Sequence, residues 1–199
     1  MSILFCRVPW FEEYDGTESN MPEAENFLPV EITGEDGSIH SLLLGTLSGK
    51  NELDISILTD RPAEGFASGV TVVFCADAPN GSLAVIGWYE NANVSARKES
   101  MTFSDDKGES TIREFFFCCH VGDAVLLPVE ERFSFLSVPR CKTKTAGKFG
   151  FSSDPVWYAR ESAAKGWVSD AVRKIAAYDG ENWLDEETDT GDDGTETNE

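Results

Sequence analysis

The sequence has no apolar run near the roughly 20 residues that a membrane-spanning helix needs. Its start, MSILFCRVPW, lacks a basic segment followed by a cleavage site. A cytoplasmic protein with no membrane partner is therefore expected. The usual chemical motifs are missing too: the 199 residues contain no CxxC pair, HExxH helix, GxSxG elbow or P-loop. Only two histidines are present, His40 and His120, and neither has a metal-ligating neighbour at short spacing. Adjacent strand residues point to opposite faces, so Cys119 and His120 do not form a nucleophile and its base. No cofactor, metal or catalytic residue is expected, and the chain reads as a non-enzyme.

Bases are scarce. There are 16 Lys and Arg against 36 Asp and Glu, a net charge of −20. Eight of the acids lie beyond Trp183, where there is no base, which leaves −12 on the body. Such a surface repels a phosphate backbone over most of its area, so non-specific nucleic-acid binding is excluded. Any nucleic-acid role needs a local basic patch or a specific pocket. The five cysteines (Cys6, Cys75, Cys118, Cys119, Cys141) are an odd set, mostly inside apolar runs such as VVFCA and FFFCCHV. They read as small buried hydrophobes rather than a disulfide framework.

What the chain does have is apolar and aromatic residues, with 13 Phe and 5 Trp. The first 150 residues read as strands: ILFCRV, ISIL (55–58), VTVVFCA (70–76), LAVIGWY (83–89), FFFCCHV (115–121) and AVLLPV (124–129). Pro79-Asn80-Gly81 predicts a hairpin, because a tight turn needs positive φ. Asp105-Asp106-Lys107-Gly108 predicts a second turn. This turn also has the acid-x-Lys order of a metal-dependent nuclease, with Asp77 as an upstream acid, but its solvated turn context argues for a surface charge cluster instead. Asp154-Pro155 reads as a helix start, with carboxylate cap and first-turn proline. Val168, Ala171, Val172, Ile175 and Tyr178 form one apolar helical face, stopped at Asp179-Gly180. Gly166 marks a place where this stretch divides. The expected fold is α+β: a curled or barrel-like, mostly antiparallel sheet over residues 1–180, with a C-terminal helical segment. An acidic disordered tail follows at 185–199.

Three aromatic–polar segments draw attention. Trp88-Tyr89 is followed by the amides Asn91 and Asn93. Ser153 precedes Trp157-Tyr158, and Trp10 sits with Phe11 and Tyr14. Such rings with amides and hydroxyls form either core or a pocket that sandwiches a planar base. Arg140, Lys142, Lys144 and Lys148 make the one dense basic run, before the expected helix start. That loop is either a phosphate seat or a solvated connection.

The segments ILFCRVPWFEEYDG, VVFCADAPNGSLAVIGWYENANV, LLPVEERFSFLSVPR and GKFGFSSDPVWYA occur in that order. In this they resemble a poorly characterised bacterial domain family that is PUA/EVE-like and often accompanies HNH-type or other restriction-like nucleases. The resemblance spans roughly residues 2–178, weakly over 15–68, and GWYxNAxV is its most specific part. Where the family has a Gly-Gln-Ser-Asn type segment, this chain has Gly150-Phe151-Ser152-Ser153-Asp154. The resemblance implies a non-catalytic reader of a nucleobase, modified or not, in a defence or restriction-like setting. Its pocket would comprise Trp10, Trp88, Tyr89, Asn91, Asn93, Ser153, Trp157 and Tyr158, with Arg140 on a phosphate. The nuclease would be a partner protein. The competing expectation is an acidic interaction module, a DNA mimic that occupies the groove of a basic partner.

Overall fold

The computed structural model describes residues 2–12, 21–34, 36–104, 110–141 and 149–184. The basic-loop lysines Lys142, Lys144 and Lys148, the 105–108 turn and the 185–199 tail lie outside them. Eight strands form one sheet: β1 (Ser2–Val8), β2 (Pro29–Thr33), β3 (Ile39–Gly45), β4 (Phe66–Asp77), β5 (Leu83–Ser104), β6 (Ser110–His120), β7 (Ala124–Leu126) and β8 (Val156–Trp157). The order is β2-β3-β6-β5-β4-β1-β8, with β7 also on β5. Only β1 and β4 run parallel; the other pairs are antiparallel. With the helices α1 (Val129–Phe135) and α2 (Lys165–Ala176), the class is α+β. The strand path is open: among the described residues no pairing joins β2 to β8.

The β4–β5 hairpin forms where Pro79-Asn80-Gly81 places it. Gly81 alone takes the positive φ, +81°, and its amide donates to the Ala78 carbonyl at 2.8 Å. Ala78 N then donates to Ser82 O at 2.9 Å, closing the turn. β5 is the spine. Its first half pairs with β4 and its second half with β6, while β6 and β7 act as one interrupted strand along its other edge. Ser104 pairs with Ser110, so β5 and β6 run antiparallel up to the last described residues on either side of the 105–109 segment.

Both faces of the central strands are covered, which is why VTVVFCA is apolar throughout. Leu4, Cys6, Val72, Phe74, Tyr89 and Phe117 pack in an inner core. Phe5, Val73, Cys75, Trp88 and Trp157 pack in an outer one against Ala171 and Ile175 of α2. Arg132 of α1 is fully buried and ties the layers together. Its Nε donates to Leu127 O at 2.8 Å and its Nη1 to Phe11 O at 2.6 Å. Its guanidinium lies 5.6 Å from the Trp10 ring and 5.3 Å from that of Trp183.

Several local expectations are corrected. ISIL is not a strand but a 3-10 turn over Ile55–Ile57, because Asp54 caps it by accepting from Ser56 N at 3.2 Å. Asp154-Pro155 does not start a helix. Asp154 accepts from Val156 N at 2.8 Å, and Val156-Trp157 then pairs with Cys6 and Phe5 at the edge of β1. The helix begins at Lys165, and Gly166 sits inside its first turn without dividing it. AVLLPV ends as a strand at Leu126, and α1 follows in a region read as wholly β.

Cys6, Cys75 and Cys119 are buried, and burial pushes all three thiols well above their ordinary value. Cys118 and Cys141 are half-exposed, and burial raises the Cys118 thiol as well. Titration of the native protein with an aromatic disulfide reagent is expected to modify at most these two. The remaining three should react only on unfolding.

Candidate functional site: a groove on the open half of the sheet

The helices cover the outer face only over β1, β4 and the first half of β5. Among the described residues neither α1 nor α2 packs on that face over β2, β3, β6 or the second half of β5. A groove of about 300 Å³ lies there, lined by Ile32, His40, Leu42, Asn91, Asn93, Cys118, Cys119 and His120. Strand register builds it. Ile32 pairs with His40, Leu42 with His120, and Cys118 with Asn93, so alternate residues of four strands share the face.

Asn91 reaches the face through a bulge. Val70 pairs with Ala92 but Val72 with Tyr89, so β5 carries one extra residue there. Asn91 takes φ +50°, a left-handed conformation that asparagine tolerates. Its identity therefore has a backbone reason. Asn91→Gly is expected to be nearly neutral in urea unfolding, whereas Asn91→Val should cost about 1–2 kcal/mol.

The two imidazoles meet edge to face, with centroids 5.8 Å apart and planes at 61°. His40 is oriented from the β2–β3 turn. Ser38 Oγ donates to Asp36 Oδ1 at 2.6 Å and lies 2.8 Å from His40 Nε2. With the serine proton committed to Asp36, the Nε2–H of His40 donates to Ser38 Oγ. The Ser38 hydroxyl and amide bonds hold the exposed Asp36 carboxyl below its usual range. At the other side, Asn91 Nδ2 approaches Asp123 Oδ1 at 3.5 Å. Asn93 and His120 make no side-chain hydrogen bond among the described residues, so an amide and an imidazole are available to a ligand. Among the described residues no three His, Cys, Asp or Glu side chains are grouped to hold a metal ion.

Comparison with known proteins yields nothing to set beside this geometry. No family model, no curated protein and no solved structure matches the chain. The PUA/EVE-like resemblance therefore rests on the sequence segments alone, and the roles it implies have to be weighed against where each residue lies.

Of the nine residues those segments imply, the groove gathers only Asn91 and Asn93. Trp88 is 1% exposed, stacked 5.3 Å from Phe135 in the outer core, and Tyr89 is fully buried in the inner one, donating to Asn26 O. Adjacent on a strand, they face opposite layers and cannot flank one ligand. Trp157 is a core residue 5.0 Å from Phe5, its indole donating to both Glu161 oxygens at 3.0 Å. An aromatic sandwich of Trp88 and Trp157 is thus replaced by packing. Trp10 is half-buried, 5.4 Å from Phe133. Tyr158 accepts from Asp54 N at 2.8 Å, and burial raises its phenol. Ser153 is exposed in the loop before β8. Arg140 pairs with Asp77, which also holds Arg7. The flanks of the basic loop are clamped by Cys141 N to Phe151 O at 2.8 Å. The loop leads to β8 and not to a helix N-terminus, so the expected helix-end phosphate seat is not formed.

His40, His120 and Cys118 were not among the residues that the sequence pointed to as a site. Cys118 and His120 carried one signal, that they flank the buried Cys119 at the end of β6, and His40 carried none.

Proposed function

We propose that this chain is a non-catalytic recognition module that takes a single exposed nucleobase, plain or modified, in the groove of the open sheet face. The observation that carries the reading is the convergence of Asn93, His120 and His40 on a small cleft with an apolar floor of Ile32 and Leu42. A primary amide offers paired donor and acceptor to a base edge, and imidazole rings give planar stacking surfaces. The volume is at the small end for ligand pockets, which suits one base rather than a duplex segment. On this reading the sheet is a PUA/EVE-like barrel left open between β2 and β8, and any chemistry on the target belongs to a partner nuclease. No helix among the described residues is long and apolar enough to cross a membrane.

Fluorescence polarisation with short single-stranded oligonucleotides carrying plain and modified bases tests this. Binding by the full chain that is lost in Asn93→Ala and His120→Ala, and kept in Ser153→Ala, supports it. Binding indifferent to the groove residues refutes it.

The net charge of −20 favours a second reading, an acidic module that docks on a basic protein. Binding to such a partner would fall steeply with salt and ignore Asn93→Ala. Loss on removal of residues 185–199 would assign it to the tail.

A further inference from the structure

Among the described residues no lysine or arginine lines the groove, and two acids stand close behind its lining, one hydrogen-bonded to a lining residue and one bonded to Ser38 beside His40. Asp123 bonds Asn91 on one side, and Asp36 reaches His40 through Ser38 on the other. Each carboxylate imposes a negative field on the cleft from behind a lining residue, without filling it. The acidic body deepens that field. A phosphate in this position would face two acids and no base. The phosphates of a bound nucleotide therefore lie outside the cleft, and the cleft holds the ring.

Resting on the base-reading role above, we infer that the groove selects a base that is itself positively charged: an N-alkylated, cationic purine of the 1-methyladenine kind, in preference to its neutral parent. Alkylation at N1 puts the charge in the ring, where both carboxylates act on it. It leaves the N6 and N7 edge open, and that is the edge an asparagine amide pairs with through two hydrogen bonds. Asn93, uncommitted among the described residues, supplies that amide. His120 and His40, edge to face, offer the ring a stacking surface. A neutral adenine makes the same amide and stacking contacts but gains nothing from Asp36 and Asp123.

Calorimetric titration of the full chain with nucleosides, which carry no phosphate, separates these contributions. The ligands are adenosine, 1-methyladenosine, 7-methylguanosine and the non-purine cation 1-methylnicotinamide. The expected result is roughly tenfold tighter binding of 1-methyladenosine than of adenosine. The double variant Asp36→Asn, Asp123→Asn should bring 1-methyladenosine binding down to that of adenosine and so erase the ratio, and Asn93→Ala should weaken both. Equal binding of the two adenosines, lost in Asn93→Ala, would overturn the charge selection and leave base reading intact. Equal or tighter binding of 7-methylguanosine or 1-methylnicotinamide would overturn the adenine-edge assignment. Absence of binding by every nucleoside would overturn both the selection and the base-reading role.

Discussion

Arg132→Ala is expected to destabilise the protein by about 4 kcal/mol, the largest effect of any single side-chain removal outside the apolar core. The side chain is fully buried, and two of its bonds reach carbonyls 121 and 5 residues away in sequence. Bonds from a charged donor contribute about 1.5–3 kcal/mol each, and the substitution removes this donor from the Phe11 and Leu127 carbonyls. Truncation also opens a void between Trp10 and Trp183, whose rings flank the guanidinium. Urea unfolding should show a lower midpoint at unchanged slope, and the thermal midpoint should fall by about 10 °C. Arg132→Met keeps most of the volume and should lose only part of this. Equal losses in both variants would mean that the hydrogen bonds dominate. A loss confined to alanine would mean that packing does.

The second large effect is on binding. The paired variant Asn93→Ala, His120→Ala is expected to weaken oligonucleotide binding by roughly a hundredfold, about 2.8 kcal/mol. An amide that makes two hydrogen bonds to a base accounts for about 1–3 kcal/mol of discrimination, and loss of one stacking surface accounts for about 1–3 more. Neither side chain is buried or hydrogen-bonded within the described fold, so the thermal midpoint should barely move. Trp88→Phe should do the reverse, lowering stability and leaving affinity alone, because that ring is enclosed between Phe135 and Tyr178.

Legibility in the sequence followed the range of the interactions. The β4–β5 hairpin could be read from Pro79-Asn80-Gly81, since a turn is decided by its own residues. The apolar face of α2 was readable from Ala171 and Ile175, although its start was misplaced. Asp154-Pro155 suits a helix start or a turn equally, and what decides is the free edge of β1, which accepts Val156 and Trp157. α1 hid behind AVLLPV, although Pro128 followed by Glu130 and Glu131 carries a helix-start signature.

The site was less legible because burial is a tertiary property. Trp88 and Tyr89 looked like a platform. Alternation sends them to opposite faces, but only the packing of α2 and the inner core shows both faces covered. His40 and His120 are 80 positions apart and meet because Leu42 pairs with His120. Nothing in their own surroundings announces that register. Asn91 and Asn93 were candidates in the sequence and both line the groove, and the bulge explains why the first is asparagine.

The most direct test of the groove as the binding site is side-chain nitrogen NMR of the full chain during titration with the oligonucleotide it binds. The account predicts shifts in the His40 and His120 imidazole and the Asn91 and Asn93 amide signals, with the Trp88 and Trp157 indole signals unmoved. Indole shifts at Trp88 or Trp157 with silent histidines would contradict it and return the site to the aromatic segments.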